Sequence, residues 1–492
     1  MNTKRAFRSV LIFMLMLCIG ATGLWAAGGS QASAGKPELV WSFVTWGTTP
    51  ADISKVEAAI NAHLETKVDF KIKLLPIGIA EVTQRLNLML ASPTEPLDIF
   101  FMTGAIYMPS IARGQLVPMN DLLASDGQGI LREVGEKYLL ACRKDGIQYS
   151  VPSIRDMASG MGFLITKEYV DKYNLNVSSV KRVEDVTPIL AAIKRNEPNF
   201  YPMTMNVGFE VTRSLIFDPL SDNFGVLMVE SPDKVVNLFE TPQYRQRIEL
   251  YRSWYEAGYI SPDAAASTET AVAVMRAGKA VAQFTANKPG IQIENELSTG
   301  RNLVYADINE AVLTTGGVQG LSWGIANNTK NPKRAMQLLN LLFTDPVLIN
   351  LINYGIEGEH YVKRNDGTIG FPAGIDASNA KYNLGGMDWQ LGNSYLSYPW
   401  EGKPADLPAQ MKAFNERAIV SPAYGFEFDN DRVRTQIAAL TAVSEQYRRA
   451  LETGSADISM LAEFNSRLYA AGLSDVIAEK QRQLDAWRSS GR

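Results

Sequence analysis

Gly320-Leu321-Ser322-Trp323-Gly324 spells Gly-x-Ser-x-Gly, the turn that exposes a nucleophilic serine, with His360 and several acids downstream. That chemistry would make a secreted serine esterase using Ser322. It requires a helix directly behind the serine, yet Asn327-Asn328-Thr329-Lys330-Asn331 comes before the next helical pattern. His360 also follows too soon for the strands that normally separate serine from histidine. The only histidines are His63 and His360, and no Cys or His partner lies at ligand spacing, so no transition-metal site is expected. Neither a phosphate-cradling loop nor a dinucleotide fingerprint occurs, and no cofactor is expected. Asp429 and Asp431 could begin a calcium loop, but Val433 and the missing Gly at the sixth position break it. They read instead as an acidic turn that starts a helix.

Aromatic residues near predicted loops are plentiful: Trp46, Phe209, Trp323, Tyr354, Trp389, Tyr395, Trp400 and Phe426, interleaved with Arg155, Asp156, Asn206 and Asn393. Sugars offer C–H faces that pack on rings, and hydroxyls that need both donors and acceptors. Asp accepts, Arg donates, and Asn does both. Taken singly, each ring is more often a core residue than a ligand platform; the signal is their clustering after turns.

The elements that must hold these groups come from a chain of 492 residues, long enough for about three domains of ordinary size or two large lobes with a helical appendage. Hydrophobic residues make up 46% and charged residues 20%, as in soluble globular proteins. The formal net charge is -4, and no basic surface for a phosphate backbone is evident, so nucleic acid is not an expected partner.

Lys4, Arg5 and Arg8 precede the apolar run Val10 to Ile19, and Ala26 and Ala27 put small residues where a signal peptidase cuts. The run is half the length of about 20 residues that a membrane span needs. Residues 1–26 are read as a secretory signal peptide and 27–36 as a flexible leader. A lipid anchor at Cys18 is disfavoured because Leu17, not a small residue, precedes it. Cleavage would leave Cys142 as the single thiol, hence no internal disulfide. An exported protein of the periplasm or cell surface is the expectation.

Leu39 to Val44 reads as a strand, Pro50 to Leu64 as a helix, Val68 to Leu74 as a strand, Val82 to Leu90 as a helix and Leu97 to Phe101 as a strand. Thr49, with Pro50 behind it, is the expected helix cap. This alternation marks a wound α/β sheet, whose ligands collect at the carboxyl ends of the strands, here Trp46 and Thr103. Pro332 to Phe343 is a helix, Asp345-Pro346 opens another, and the tail from Val433 to Trp487 carries three helical segments.

Several segments resemble the family 1 extracellular solute-binding proteins of ABC sugar importers: Leu97-Asp98-Ile99-Phe100, Ala112 to Met119, Asp145-Gly146 to Val151-Pro152, and Gly324 to Met336 with Leu338 to Pro346. Tyr354 to Tyr361 and Gly425 to Asp485 are similar to a narrower branch, of Gram-positive bacteria and spirochaetes, that ends in a helical region. The resemblance implies a two-lobe periplasmic-binding-protein fold (type II, Venus-flytrap) with C-terminal helices. The lobes would comprise 37–153 with 312–360, and 157–308 with 361–492, hinged near 154–156, 309–311 and 360. It implies capture of a carbohydrate, with an oligosaccharide expected, by lobe closure. It further implies delivery to permease subunits in the membrane by a non-enzymatic monomer. The loop after the first strand falls on Trp46 and Gly47, and that after the third on Thr103 and Tyr107. The hinge carboxylate falls on Asp156 beside Arg155, a pair that could equally be a structural salt bridge. In the second lobe the contacts fall near Asn206 and Phe209, at the Asn287-Lys288-Pro289 turn and near Phe426. Trp46, Phe209 and Phe426 would stack on sugar; Thr103, Arg155, Asp156 and Asn206 would hold hydroxyls; Lys288, Trp323 and Trp389 complete the candidate set. Thr103-Gly104-Ala105 replaces an acidic and basic pair of the maltodextrin-binding members, so maltodextrin is not the expected sugar. The rival is a binding protein for peptides or other polar solutes, which would line its cleft with charged groups.

Overall fold

The computed structural model describes residues 35–45, 48–205, 210–384 and 386–490. The chain opens with strand β1 (Glu38–Thr45), helix α1 (Ile53–Leu64), β2 (Lys71–Gly78), α2 (Val82–Ala91) and β3 (Ile99–Thr103), the alternation read from the sequence. Residues Leu39 to Thr45 are all buried, as a parallel strand covered on both faces requires. Helix α1 turns Val56, Ile60 and Leu64 inward at helical spacing. It starts later than expected, with Asp52 rather than Thr49 at its cap.

Strand β4 (Val151–Pro152) leads out of this lobe into β5 (Met161–Thr166), and after a largely helical stretch come β6 (Ala282–Ala286), α3 (Ile291–Thr299) and β7 (Leu303–Asp307). The chain then returns through β8 (Leu321–Ile325), α4 (Pro332–Thr344) and α5 (Pro346–Tyr354). Helices α4 and α5 meet at 86° across Asp345, whose carboxylate accepts from the N–H groups of Val347 and Leu348. Among the described residues no single helix is long and apolar enough to cross a membrane. Helices α6 (Leu407–Arg417), α7 (Arg434–Glu452), α8 (Met460–Ala470) and α9 (Leu473–Ser489) complete the chain.

The first sheet runs β2-β1-β3-β8-β4, with β8 antiparallel to both neighbours; the second is β6-β5-β7, antiparallel throughout. Each has its own apolar core. One core draws on residues 39–158, 311–352 and 382–418; the other on 161–308 and 423–484. Three segments cross between them, and they lie side by side. Ser159 and Val312 exchange backbone hydrogen bonds, and Val312–Leu313 pairs in parallel with Ile419–Val420.

This third crossing differs from the one expected near residue 360. The segment after His360 stays with the first lobe because Tyr354, Tyr361 and Ile369 form a small core with Tyr398 and Trp400, and because Tyr382, Met387 and Phe414 enter the main core of that lobe. The second lobe instead receives the three terminal helices. Helix α9 is fastened there by Lys480, buried completely, which donates to Asp222 at 2.7 Å and to the Gly225 carbonyl at 2.9 Å.

Candidate ligand-binding cleft

A cavity of about 550 Å³ opens between the lobes. The crossing segment supplies Arg155 and Asp156; the second lobe supplies Lys288, just after β6, and Glu294, Leu297 and Ser298 on α3. The first lobe supplies Asn353 and Tyr354 at the end of α5, and the segment that follows supplies Phe371, Asp388, Trp389, Trp400 and Lys403. A smaller recess continues past Tyr395 and Tyr398.

Arg155 is held by its surroundings before any ligand arrives. Its guanidinium donates to the Asp156 and Gly317 carbonyls, the latter at 2.7 Å, while its own carbonyl accepts from the Tyr395 hydroxyl at 3.0 Å and from the Asn415 amide. Burial pushes its pKa down, opposed by Asp156. The carboxylate of Asp156 lies 3.8 Å from Arg155 and 3.7 Å from the Lys288 ammonium. Lys288 is 3.1 Å from Glu294, which also faces Lys403 at 3.5 Å. Burial works against the Lys288 charge, yet Asp156, Glu294 and Asp388 together carry its pKa above the ordinary lysine value.

The aromatic wall is built by mutual contact. Trp400 lies 5.6 Å from Tyr354 and is met edge-on by Phe371 at 4.8 Å. Trp389, half-buried, stands edge-on to Phe101 at 5.6 Å. Asp388 and Trp389 are placed by their neighbour Gln390, whose buried side chain bonds both backbone groups of Val44 and whose carbonyl accepts from the Trp323 indole at 2.7 Å.

Of the ten candidates, the cleft brings together Arg155, Asp156, Lys288 and Trp389. Trp46, Asn206 and Phe209 lie outside the described residues. Three others are corrected. Trp323 is fully buried in β8, edge-on to Trp41 and Phe101, because alternate residues of a central strand face the covering layer. Phe426 is 6% exposed and meets Trp487 of the terminal helix edge-on, so it belongs to the second core. Thr103 ends β3 half-buried, paired with Leu321, and is not part of the cavity lining. Tyr107 is also internal, its hydroxyl spent on the Cys142 carbonyl at 2.8 Å. Glu294, Phe371, Asp388 and Lys403 escaped the sequence reading. Lys403 follows the Tyr398-Pro399-Trp400 run by three residues, and that density of rings was the available signal; Phe371, 27 residues upstream of the run, carried none.

Ser322 is no nucleophile elbow. It sits within β8, fully buried, opposite Met102 on one side and Pro152 on the other, with no helix behind it. His360 is far from it in role: Nδ1 accepts from the Ile356 N–H at 2.9 Å, so Nε2 carries the proton and faces Asp52 at 3.2 Å. Asp52, Glu359 and His360 come within 4.8 Å of one another, but a metal on Nε2 would require a proton on Nδ1, where the Ile356 N–H already points. Lys55 neutralises Glu359 there, making the group an ion-pair cluster.

Two α/β lobes, three crossing segments and an inter-lobe cleft define a two-lobe solute-binding protein. Residues 49–347 match the bacterial extracellular solute-binding proteins, and the chain belongs to that family. Residues 422–489 match a domain of unknown function, DUF3502. The chain is similar to a carbohydrate ABC transporter substrate-binding protein of Streptococcus pneumoniae serotype 4, with 26% identity over 488 residues and 98% of each chain covered. It is also similar to the polygalacturonan/rhamnogalacturonan-binding protein YtcQ of Bacillus subtilis strain 168, at 21% identity over 73% of this chain and 75% of that one. Among solved structures, the N-glycan transport solute binding protein NgtS from Streptococcus pneumoniae superimposes with a TM-score of 0.80 at 24% identity, covering 93% of this chain and 100% of that one. Its complexes with Man1GlcNAc and Man5GlcNAc give 0.72 and 0.70.

Proposed function

We propose that this protein captures an oligosaccharide between its lobes outside the cytoplasmic membrane, as a non-enzymatic monomer, and hands it to the permease subunits of an ABC importer. The observation that carries this reading is the inter-lobe cavity of about 550 Å³, whose faces are Tyr354, Phe371, Trp389 and Trp400 with hydrogen-bonding groups between them. Its size lies within the range of roughly 300–1,000 Å³ common for small-molecule sites. Sugar C–H faces would rest on the rings while hydroxyls exchange hydrogen bonds with Asn353, Ser394 and the charged groups. Three crossing segments supply the joint about which the lobes close. The carbohydrate named for the pneumococcal relative, and the glycans in the NgtS complexes, support the same class of ligand.

The charged lining favours a second reading, a peptide or another polar solute, because Arg155, Asp156, Lys288, Glu294, Asp388 and Lys403 all face the cleft. Against it, five of those charges, Arg155, Asp156, Lys288, Glu294 and Lys403, pair with one another across 3.1 to 3.8 Å.

A thermal-shift screen of the mature protein against saccharides and peptides tests the choice. A ligand at about 100 times its Kd adds about 2.7 kcal/mol to the folded state. Stabilisation by saccharides is expected. Stabilisation by peptides alone overturns the carbohydrate reading.

A further inference from the structure

We infer that the cleft selects uncharged glycans over uronate-bearing ones, and that Glu294 is the residue that sets this preference; the inference rests on the carbohydrate reading above. Each cation at the cleft already faces a carboxylate of its own chain. Lys288 stands between Glu294 at 3.1 Å and Asp156 at 3.7 Å, with the charge of Asp388 also acting on it. Lys403 faces Glu294 at 3.5 Å, and Arg155 faces Asp156 at 3.8 Å. Arg213 also feels the Asp156 charge.

An incoming uronate must shed its hydration, which costs free energy unless a cation replaces the lost water. Here it meets three carboxylates, Asp156, Glu294 and Asp388, and cations that those carboxylates already serve. It can reach the N–H groups of those cations only against the like-charge repulsion of the carboxylates beside them. A neutral hydroxyl faces no such conflict. It accepts from an ammonium or guanidinium N–H and donates to a carboxylate oxygen, leaving the ion pairs in place. The selection is thus partly repulsive, a penalty built against the wrong ligand.

Glu294 holds the central place because it serves two lysines from opposite sides of the cleft. Lys288 belongs to the second lobe, and Lys403 to the segment that packs with the first. Among the described residues, Glu294 is the carboxylate within 4.0 Å of Lys403, so its neutralisation leaves that ammonium unmatched. Lys288 would still retain Asp156. Changing Asp156 in turn would release Arg155 and half of the Lys288 pairing.

The test screens wild-type protein on an array of neutral mannose-, glucose-, galactose- and N-acetylglucosamine-containing oligosaccharides beside uronate-bearing counterparts. The tightest neutral glycan and its uronate-bearing counterpart then go into titration calorimetry with wild type, Glu294→Gln and Asp156→Asn, each checked for a cooperative melt. We expect the wild type to retain neutral glycans, and Glu294→Gln to raise the uronate-to-neutral affinity ratio by about tenfold. Asp156→Asn should move the ratio in the same direction and stands in if Glu294→Gln does not fold. A wild type that prefers uronates, or folded variants that leave the ratio unchanged, overturns the inference while leaving the carbohydrate reading intact. A wild type that retains no glycan of either kind overturns that reading and this inference together.

Discussion

The side chain of Gln390 closes a pair of hydrogen bonds with the backbone of Val44, Oε1 accepting from its N–H at 2.7 Å and Nε2 donating to its carbonyl at 2.8 Å. Strand β1 pairs with β3 only at Trp41 and Ser42, so the far end of β1 lacks a strand partner on that side. Gln390 takes that place with an amide. The same contact fixes Asp388 and Trp389 at the cleft, which ties the first strand of the chain to the wall that would meet a ligand.

Replacing Gln390 by Leu strands a buried N–H and a buried carbonyl on Val44. The expected loss is about 2–6 kcal/mol of stability, at about 1–3 for each of the two unmet groups. Urea denaturation reads it, and saccharide affinity should fall alongside as Trp389 loses its anchor. Unchanged stability would mean that water or another side chain replaces the amide.

Trp323 and Trp389 both approach the ring of Phe101 to 5.6 Å, yet they are expected to fail differently. Trp323→Ala opens a cavity in a closed core and should cost about 3–5 kcal/mol. Trp389→Ala removes a half-exposed ring and should weaken saccharide binding by tenfold or more, about 1.4 kcal/mol per factor of ten, with a smaller effect on folding. Denaturation and calorimetry on the two variants separate the roles.

Glu427 gives the fold a pH dependence. It lies just beyond the third crossing and faces Gln319 and Lys144 of the first lobe; burial lifts its pKa to about 8, with Lys144 and Gln319 opposing. A carboxyl raised in the folded state contributes stability that is complete below its unfolded pKa and is lost as pH rises through the folded one. Wild type should therefore lose on the order of 2–4 kcal/mol between about pH 5 and pH 8 relative to Glu427→Gln, whose amide does not titrate. Parallel pH profiles for the two proteins would refute this.

Cys142 should be inert. It is fully buried and its thiol is pushed up to about 12 by that burial, whereas the thiolate is the reactive form. Ellman's reagent at pH 8 should find no reactive thiol in the folded mature protein and one after denaturation. Rapid labelling of the native protein would show that the surrounding core opens.

The first sheet was legible because its strands carry continuous apolar runs and its helices a 3.6-residue period, as in Val56, Ile60 and Leu64. The cleft was legible only in part. Arg155, Asp156 and Lys288 follow strands at the lobe boundary, where position alone points to a ligand. Trp323 and Phe426 misled because an aromatic side chain near a turn has the same sequence signature whether it fills a core or walls a groove. Glu294 was invisible, since an acidic residue on a helix usually marks a solvated face, and only the approach of Lys288 and Lys403 distinguishes it.

From residue order alone came the α/β class, the helical tail and the absence of nucleotide-binding motifs, because each depends on neighbours within a few turns of chain. Where residues 361–418 would pack was left to tertiary contacts. Gln390 finds Val44 346 positions away, and Asn415 bonds the Met157 N–H across 258. Contacts at such separations obey no local period. They are chosen by which buried backbone groups lack partners once the sheets have formed, and that shortage exists only in the folded molecule.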